Sequence, residues 1–119
     1  MTDHEKLNYV EFPARDRGAT KQFFGEAFSW TFEDYGPEYA AFSNEGLDGG
    51  FFRSELSAKT ENGSALLVFY NADLEQTKEK VLGACGVIEK DIFAFPGGRR
   101  FHFLEPSGNE FAACSDNGC

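Results

Sequence analysis

The sequence predicts an α+β fold, one domain over 1–119 built from two tandem β-α-β-β-β modules, and three observations predict it. Alternating and helical apolar patterns follow each other twice in the same order: a strand, a helix, then three short strands. An aspartate heads each candidate helix, Asp16 and Asp73, 57 residues apart, and each is followed at the same distance by Thr-Lys (Thr20-Lys21, Thr77-Lys78). Between the copies lies "SELSAKTENGS" (54–64), polar and rich in turn formers, which reads as a linker. The modules then span about 7–53 and 65–114. A ferredoxin-like fold also repeats, but with fewer strands after each helix.

In the first module "NYVEF" alternates, with Val10 and Phe12 on one face and Tyr9 and Glu11 on the other. Pro13 is expected to end regular pairing, because it has no N–H to give a ladder. Asp16 is a helix N-cap, and Ala19, Phe23 and Ala27 recur every four residues with Phe24 and Phe28 beside them, so the helix is expected to end near Phe28. Strands follow in "WTFEDY", "EYAAFS" and "LDGGFF", separated by Gly36-Pro37 and by Asn44 to Gly46. Gly49-Gly50 suits either a close backbone approach to a ligand or a bulge.

The second module opens with the strand "ALLVFY". Asp73 caps a helix whose apolar stripe is expected at Leu74, Val81, Leu82 and Cys85, with Gly86 as its stop. Strands "VIEKDIFAF", "RRFHFL" and "EFAAC" complete the copy. The first two are joined by a Pro-Gly-Gly turn with no phosphate-loop spacing. Arg99 and Arg100 alternate across their strand, so at most one faces any given side.

Composition narrows the function. A chain of 119 residues buries enough surface to fold without staples. Its three cysteines, Cys85, Cys114 and Cys119, make no CxxC pair and leave an odd thiol, so they are expected as buried or incidental thiols. The formal charge is −9 and the only basic pair is Arg99-Arg100, which argues against nucleic acid as a partner. No apolar run reaches the roughly 20 residues that span a bilayer, and "MTDHEKLN" is too polar for a signal peptide, so a cytoplasmic protein with no membrane partner is expected.

The doubled module and the acid-Pro-x-Gly-Asn turn in "FHFLEPSGNEFAA" (101–113) resemble the vicinal oxygen chelate superfamily of glyoxalases, bleomycin-resistance proteins and extradiol dioxygenases. The run "VEFPARDRGATKQFFGEAFSW" (10–30), Gly49-Gly50 and "LEPSGNEF" (104–111) are similar to small bacterial proteins of the glyoxalase-related kind. The resemblance implies a curved mixed sheet around a cleft and a homodimer. In the metal enzymes it also implies one ligand on the first strand of each module and a carboxylate on the last strand. Counting from the two caps and from Gly108 places Tyr9, Leu66 and Ala112 at those positions, with only Asp48 near the remaining one. Hard divalent ions need several oxygen or nitrogen donors. No metal and no cofactor are therefore expected, and a one-residue slip only turns the other face to the cleft.

If Phe103 and Phe111 pair on the helix-facing side, then His102, Leu104, Glu110 and Ala112 face the cleft, with His102 opposite Ala112. Tyr9 and Glu11 join from the first strand, and Leu66, Val68 and Tyr70 from its counterpart. Tyr9, Glu11, Tyr70, His102 and Glu110 are the candidate substrate-binding residues, expected in one cavity. His102 and Glu11 are the candidate acid–base groups, His102 because its unperturbed pKa is about 6.5. Each also has a structural reading: a hydrogen-bonded edge histidine, a carboxylate serving a backbone group or arginine, packed tyrosines, and a solvated Glu110. Three functions follow: a metal-independent small-molecule binder with an aromatic acidic cleft, a metal-independent lyase or isomerase using His102 or Glu11, and a metal-dependent glyoxalase-type lyase.

Overall fold

Both aspartates cap their helices. Asp16 accepts a hydrogen bond from the Ala19 N–H at 3.0 Å, and Asp73 accepts one from the Gln76 N–H at 3.1 Å. Each bond satisfies one of the donors that a helix start leaves without an intrahelical partner. The computed structural model describes residues 4–115. In chain order the elements are β1 (Tyr9–Pro13), α1 (Arg17–Phe28), β2 (Phe32–Asp34), β3 (Tyr39–Glu45), β4 (Leu47–Phe52), β5 (Leu67–Tyr70), α2 (Leu74–Gly83), β6 (Val87–Phe95), β7 (Gly98–Leu104) and β8 (Glu110–Ser115), with a 3-10 turn at Thr60–Asn62.

Each module makes its own four-stranded mixed sheet, ordered β1-β4-β3-β2 and β5-β8-β7-β6. The first and last strands of each module run parallel, and the other pairs are antiparallel. Phe103 pairs with Phe111 and His102 with Ala112, as period-two alternation requires. Pairing continues through Pro13, which lies opposite Phe52, and the Ala14 N–H restores the ladder by donating to Phe52 O at 2.9 Å.

The inner faces of both sheets and the two helices share one aromatic core. Phe24 stacks on Trp30 with centroids 4.4 Å apart, Phe28 lies parallel to Phe69 at 4.5 Å, and Phe12 meets Phe111 at 4.9 Å. The last two contacts cross from one module to the other. On α2 the buried face is Leu74, Thr77 and Val81, followed by Ala84, which corrects the expected stripe. Leu82 is 51% exposed and Cys85 is exposed, because the helix ends at Gly83 and the chain then leaves the helical period. Cys85 takes the left-handed position (φ +76°) expected of Gly86. Gly86 instead lacks a side chain because a Cβ there would lie 2.6 Å from Val81 Cγ1 and 2.7 Å from Phe23. Cys114 is disulfide-bonded, which corrects its expected thiol; spacing along the chain carried no sign of it, since bridging depends on approach in space. Cys119 lies outside the described residues.

The β7–β8 turn ties the modules together. Glu105, 2% exposed, accepts from Thr20 Oγ1 (2.7 Å), from the Ser107 N–H (2.7 Å) and from the Asn109 amide. Asn109 also donates to Pro13 O at 2.6 Å and accepts from the Ala58 N–H at 2.8 Å. Gly108 closes the turn at φ +90°, and a Cβ there would lie 2.7 Å from Ser57 Oγ, so a side chain would be both strained and obstructed. The segment read as a linker is thus docked, from Ser57 to Thr60, against this turn.

Burial raises the Glu105 carboxyl above its ordinary value, against the pull of its hydrogen bonds. The folded chain therefore keeps a proton there at pH values where the unfolded chain has lost it. That stabilising contribution is complete below the unfolded value of about 4.3 and is lost as pH rises through the folded value. Glu105→Gln is expected to destabilise the fold by roughly 1–3 kcal/mol, because its NH2 opposes donors. In urea titrations the difference between wild type and variant should shrink as pH rises from that range to neutrality; a difference that grows would contradict this protonation linkage.

Candidate functional site

The face of each sheet turned away from the core carries the candidate residues. In the first module the register puts Tyr9 beside Asp48 and Glu11 beside Gly50, Ala41 also beside Gly50, and Glu33 beside Ala41. These residues share one face because paired positions do so. Phe12, two places from Val10 on β1, is buried, whereas Glu11 and Tyr9 are exposed. The alternation read from "NYVEF" is therefore the one the strand adopts.

Tyr39, which the sequence reading did not single out, joins these groups. Its hydroxyl donates to Glu11 Oε2 at 2.9 Å and lies 2.7 Å from the Tyr9 hydroxyl. A phenol has one hydrogen, so Tyr9 must be the donor to Tyr39. Burial, then the bonds to Tyr9 and Glu11, keep the Tyr39 hydroxyl protonated far above the usual phenol range. A Cβ on Gly50 would lie 2.2 Å from that hydroxyl, and one on Gly49 would lie 2.6 Å from the Phe42 ring. The glycine pair therefore makes room for the protein's own aromatic rings. Tyr39 was legible in "EYAAFS", where it shares a face with Ala41, but only once that strand is set against Gly50.

Around this chain of hydroxyls lies a cavity of about 760 Å3, lined by Tyr9, Glu33, Tyr35, Tyr39, Ala41 and Asp48 among others. The Tyr35 hydroxyl is held protonated by its hydrogen bond to Glu33. None of Glu11, Glu33 and Asp48 forms an ion pair among the described residues, although Lys21, Arg53, Lys78 and Arg99 each pair with a carboxylate elsewhere. The result is an acidic, phenol-lined surface.

The second module is different. His102 and Glu110 are 3% and 4% exposed, and His102 Nδ1 lies 2.7 Å from Glu110 Oε2. Glu110 Oε1 accepts from the Thr60 N–H at 2.8 Å and from its hydroxyl at 2.9 Å. The solvated reading of Glu110 is thereby corrected: Thr60, at the end of the docked 57–60 segment, bonds its carboxylate, which is buried. Burial alone would raise the Glu110 carboxyl, but the bonds from Thr60 and His102 outweigh it and hold it below the ordinary value. An ionised carboxylate only accepts, so His102 Nδ1 carries the hydrogen and Nε2, which has no partner among the described residues, presents a lone pair in the neutral ring.

Lys90 pairs with His102 and Phe93 with Arg100, so these four share the face. The Arg100 guanidinium lies 5.7 Å from the Phe93 centroid and 5.2 Å from that of Phe95. Arg99 points to the other side, to Glu75 of α2. The structure thus groups Tyr9 with Glu11 and His102 with Glu110. Tyr70 lines a separate cavity between the modules, and neither Glu11 nor His102 lines that cavity or the one around Tyr9. At the positions that the resemblance implies for metal ligands, Tyr9 is bonded to Tyr39, Leu66 is apolar, and Ala112 is buried opposite Val68 and His102. Among the described residues no group of three His, Cys, Asp or Glu side chains is placed to hold a metal.

Residues 6–113 match the family model described as the Glyoxalase/Bleomycin resistance protein/Dioxygenase superfamily. Among solved structures, a glyoxalase-related enzyme from Fulvimarina pelagi superposes with a TM-score of 0.79 at 18% identity, covering 94% of this chain and 88% of that one. A lactoylglutathione lyase from Agrobacterium tumefaciens gives 0.71 at 17% identity, with 96% of each chain covered. A fosfomycin resistance protein from Mesorhizobium loti gives 0.75 at 14% identity, covering 98% of this chain and 96% of that one. No curated protein matches. At these identities the structural matches show the fold.

The lowered Glu110 carboxyl has the opposite pH sign to Glu105. Its contribution is present above the unfolded value of about 4.3 and is lost as pH falls through the lower folded value. Glu110→Gln should therefore destabilise the protein at pH 7, with the gap to wild type closing as the solution is acidified below that range. Thermal unfolding across a pH series measures this, and a gap that widens on acidification would show that the carboxylate is not held ionised by Thr60 and His102.

Proposed function

This chain belongs to the glyoxalase/bleomycin resistance protein/dioxygenase superfamily, and we propose that it is a metal-independent member that binds a small, planar, cationic molecule on its acidic phenol-lined face. The observation that carries this reading is the Tyr9–Tyr39–Glu11 chain of hydrogen bonds beside Glu33 and Asp48. It holds two phenol rings in fixed positions next to carboxylates that pair with no cation among the described residues. Rings and uncompensated carboxylates attract a flat cation by stacking and by charge.

A divalent ion does not fit the residues at the superfamily's ligand positions. Leu66 and Ala112 offer no donor, and the Tyr9 phenol is already spent on Tyr39. The similarity to a lactoylglutathione lyase does not bring that protein's substrate here, because a glutathione conjugate is anionic and this chain carries −9. The fosfomycin resistance protein supports the fold in the same way and no more.

The cleft is completed by a second copy of the chain. The outward face of the first module is acidic, with Glu11, Glu33 and Asp48, whereas that of the second carries Lys90 and Arg100 beside the buried His102–Glu110 pair. Tyr9, Phe52, Val68 and Tyr70 are exposed on or beside these faces. Two chains that set one face against the other match opposite charges and cover these side chains.

A second reading, a metal-independent lyase or isomerase, is favoured by one observation. His102 is oriented through Nδ1 by Glu110 and keeps an Nε2 with no partner among the described residues, the arrangement of a general base fixed by a carboxylate. Glu11 is less suited to that task, since its carboxylate already accepts from Tyr39.

For the binding reading, a ligand found by thermal-shift screening of planar cations should bind more weakly by about 1–2 kcal/mol in Tyr9→Ala and in Glu11→Gln. Both side chains are exposed, so folding stability should barely change, whereas Phe12→Ala should cost roughly 3–5 kcal/mol. Calorimetric titration showing wild-type affinity in both ligand-face variants would place the ligand elsewhere.

Protein prepared without a histidine tag should carry no stoichiometric divalent ion and should sediment as a dimer. Elemental analysis finding one metal per chain, or a 13.2 kDa species at micromolar concentration, would contradict the corresponding half of the proposal.

A further inference from the structure

The inner edges of the two sheets, β1 and β5, are not hydrogen-bonded to each other. The seam between them holds a second cavity, of about 470 Å3. Its walls come from the core-facing side of the modules: Val10 and Phe12 of β1, Leu67 and Phe69 of β5, with Trp30 and Phe111. The edge strand β5 adds Val68 and Tyr70 from its other side, and the β3–β4 hairpin closes the wall with Glu45, Gly46 and Leu47. This site lies apart from the acidic outward face, and Phe42 is the one residue common to the two linings.

Close packing normally leaves few voids larger than a water molecule. Here several aromatic side chains of the core border open space of a size typical of ligand pockets, about 300–1,000 Å3. Apolar cavities of even about 150 Å3 accept benzene-sized molecules rather than water. The lining therefore selects an apolar, ring-bearing body. Its charge selects the head group. Glu45 is the only charged residue of the lining, no cation among the described residues pairs with it, and the Tyr70 ring stands at the same cavity. The apolar surroundings hold the Glu45 carboxyl above its ordinary value, so a cation beside it would draw it back toward ionisation.

We propose that the seam between the modules is a binding site for an arylalkyl amine, with the aryl group between the β1 and β5 side chains and the ammonium at Glu45. The site does not depend on the outward face being a ligand site, and either can fail without the other. The single tryptophan of the chain, Trp30, lines the seam and reports on it directly.

The probes are 4-phenylbutylamine, its neutral alcohol 4-phenylbutanol, and its anionic counterpart 4-phenylbutanoate, each titrated into the full chain while Trp30 emission is followed. The expected result is saturable binding with the amine at least about tenfold tighter than the carboxylate, a preference that weakens with salt. Glu45→Gln, at an exposed position, should remove the preference for the amine over the alcohol. Leu47→Phe and Val68→Phe, which fill the seam and keep Trp30 as the only tryptophan, should weaken all three probes at least about fivefold. Thermal unfolding checks that each variant is folded. No saturable change in Trp30 emission would overturn the proposal. So would affinities that ignore both filling variants, or that are lost in Glu11→Gln and Tyr39→Phe, which would put the probe on the outward face. A filling variant that shifts the sedimentation coefficient while wild type binds no probe would overturn it too, by showing that a second copy of the chain covers the seam.

Discussion

Glu105 accepts hydrogen bonds from Thr20, Ser107 and Asn109 inside the protein, and the rest of the arrangement hangs on that turn. Thr20 belongs to α1, Asn109 holds the end of β1 through Pro13 O, and both Ser107 and Asn109 hold the segment that joins the modules. A single buried carboxylate thus fixes one module's helix, the same module's first strand and the other module's last hairpin relative to one another. Desolvation opposes its charge, and the converging donors offset only part of that cost. Such a group tolerates little displacement, because any donor that moves away leaves a buried acceptor unsatisfied.

From that fixed turn the chemistry of the two outward faces follows by alternation. β8 leaves the turn with Glu110 outward and Phe111 inward, so His102, opposite Ala112, also faces outward and meets Glu110. The joining segment, pinned by Asn109 at Ala58, brings Thr60 over the same carboxylate. Glu105 and Glu110 stand five positions apart on one hairpin, yet burial prevails in the first and hydrogen bonding in the second. Both accept from a backbone N–H and a hydroxyl; Glu110 adds the electrostatic pull of the His102 imidazole, whereas Glu105 has no titratable partner and its desolvation prevails.

The first module's face is organised by small residues instead. Gly50 and Ala41 leave the space into which Tyr39 folds, and Tyr39 then links Tyr9 to Glu11. The superfamily scaffold is retained, and the positions that the resemblance implies for metal ligands carry a phenol, a leucine and an alanine.

The sequence by itself determined the repeat, both helix caps, the course of most strands, the pairing of Phe103 with Phe111 and the side on which Tyr9, Glu11 and His102 fall. These are local matters, set by the period of two in a strand and by the N-cap chemistry of aspartate. Only the tertiary structure decided that Glu110 is buried, that Tyr39 completes the Tyr9–Glu11 pair, that residues 57–60 dock rather than dangle, and that Leu82 and Cys85 lie outside the core. It also separated Tyr70 from Tyr9 by dividing the strands into two sheets with a seam between them. Each of these depends on contacts between residues tens of positions apart, such as Thr60 with Glu110 or Gly50 with Tyr39. A polar side chain in a polar stretch looks solvated until a distant segment is laid over it, and the periodicity of its own strand carries no trace of that segment.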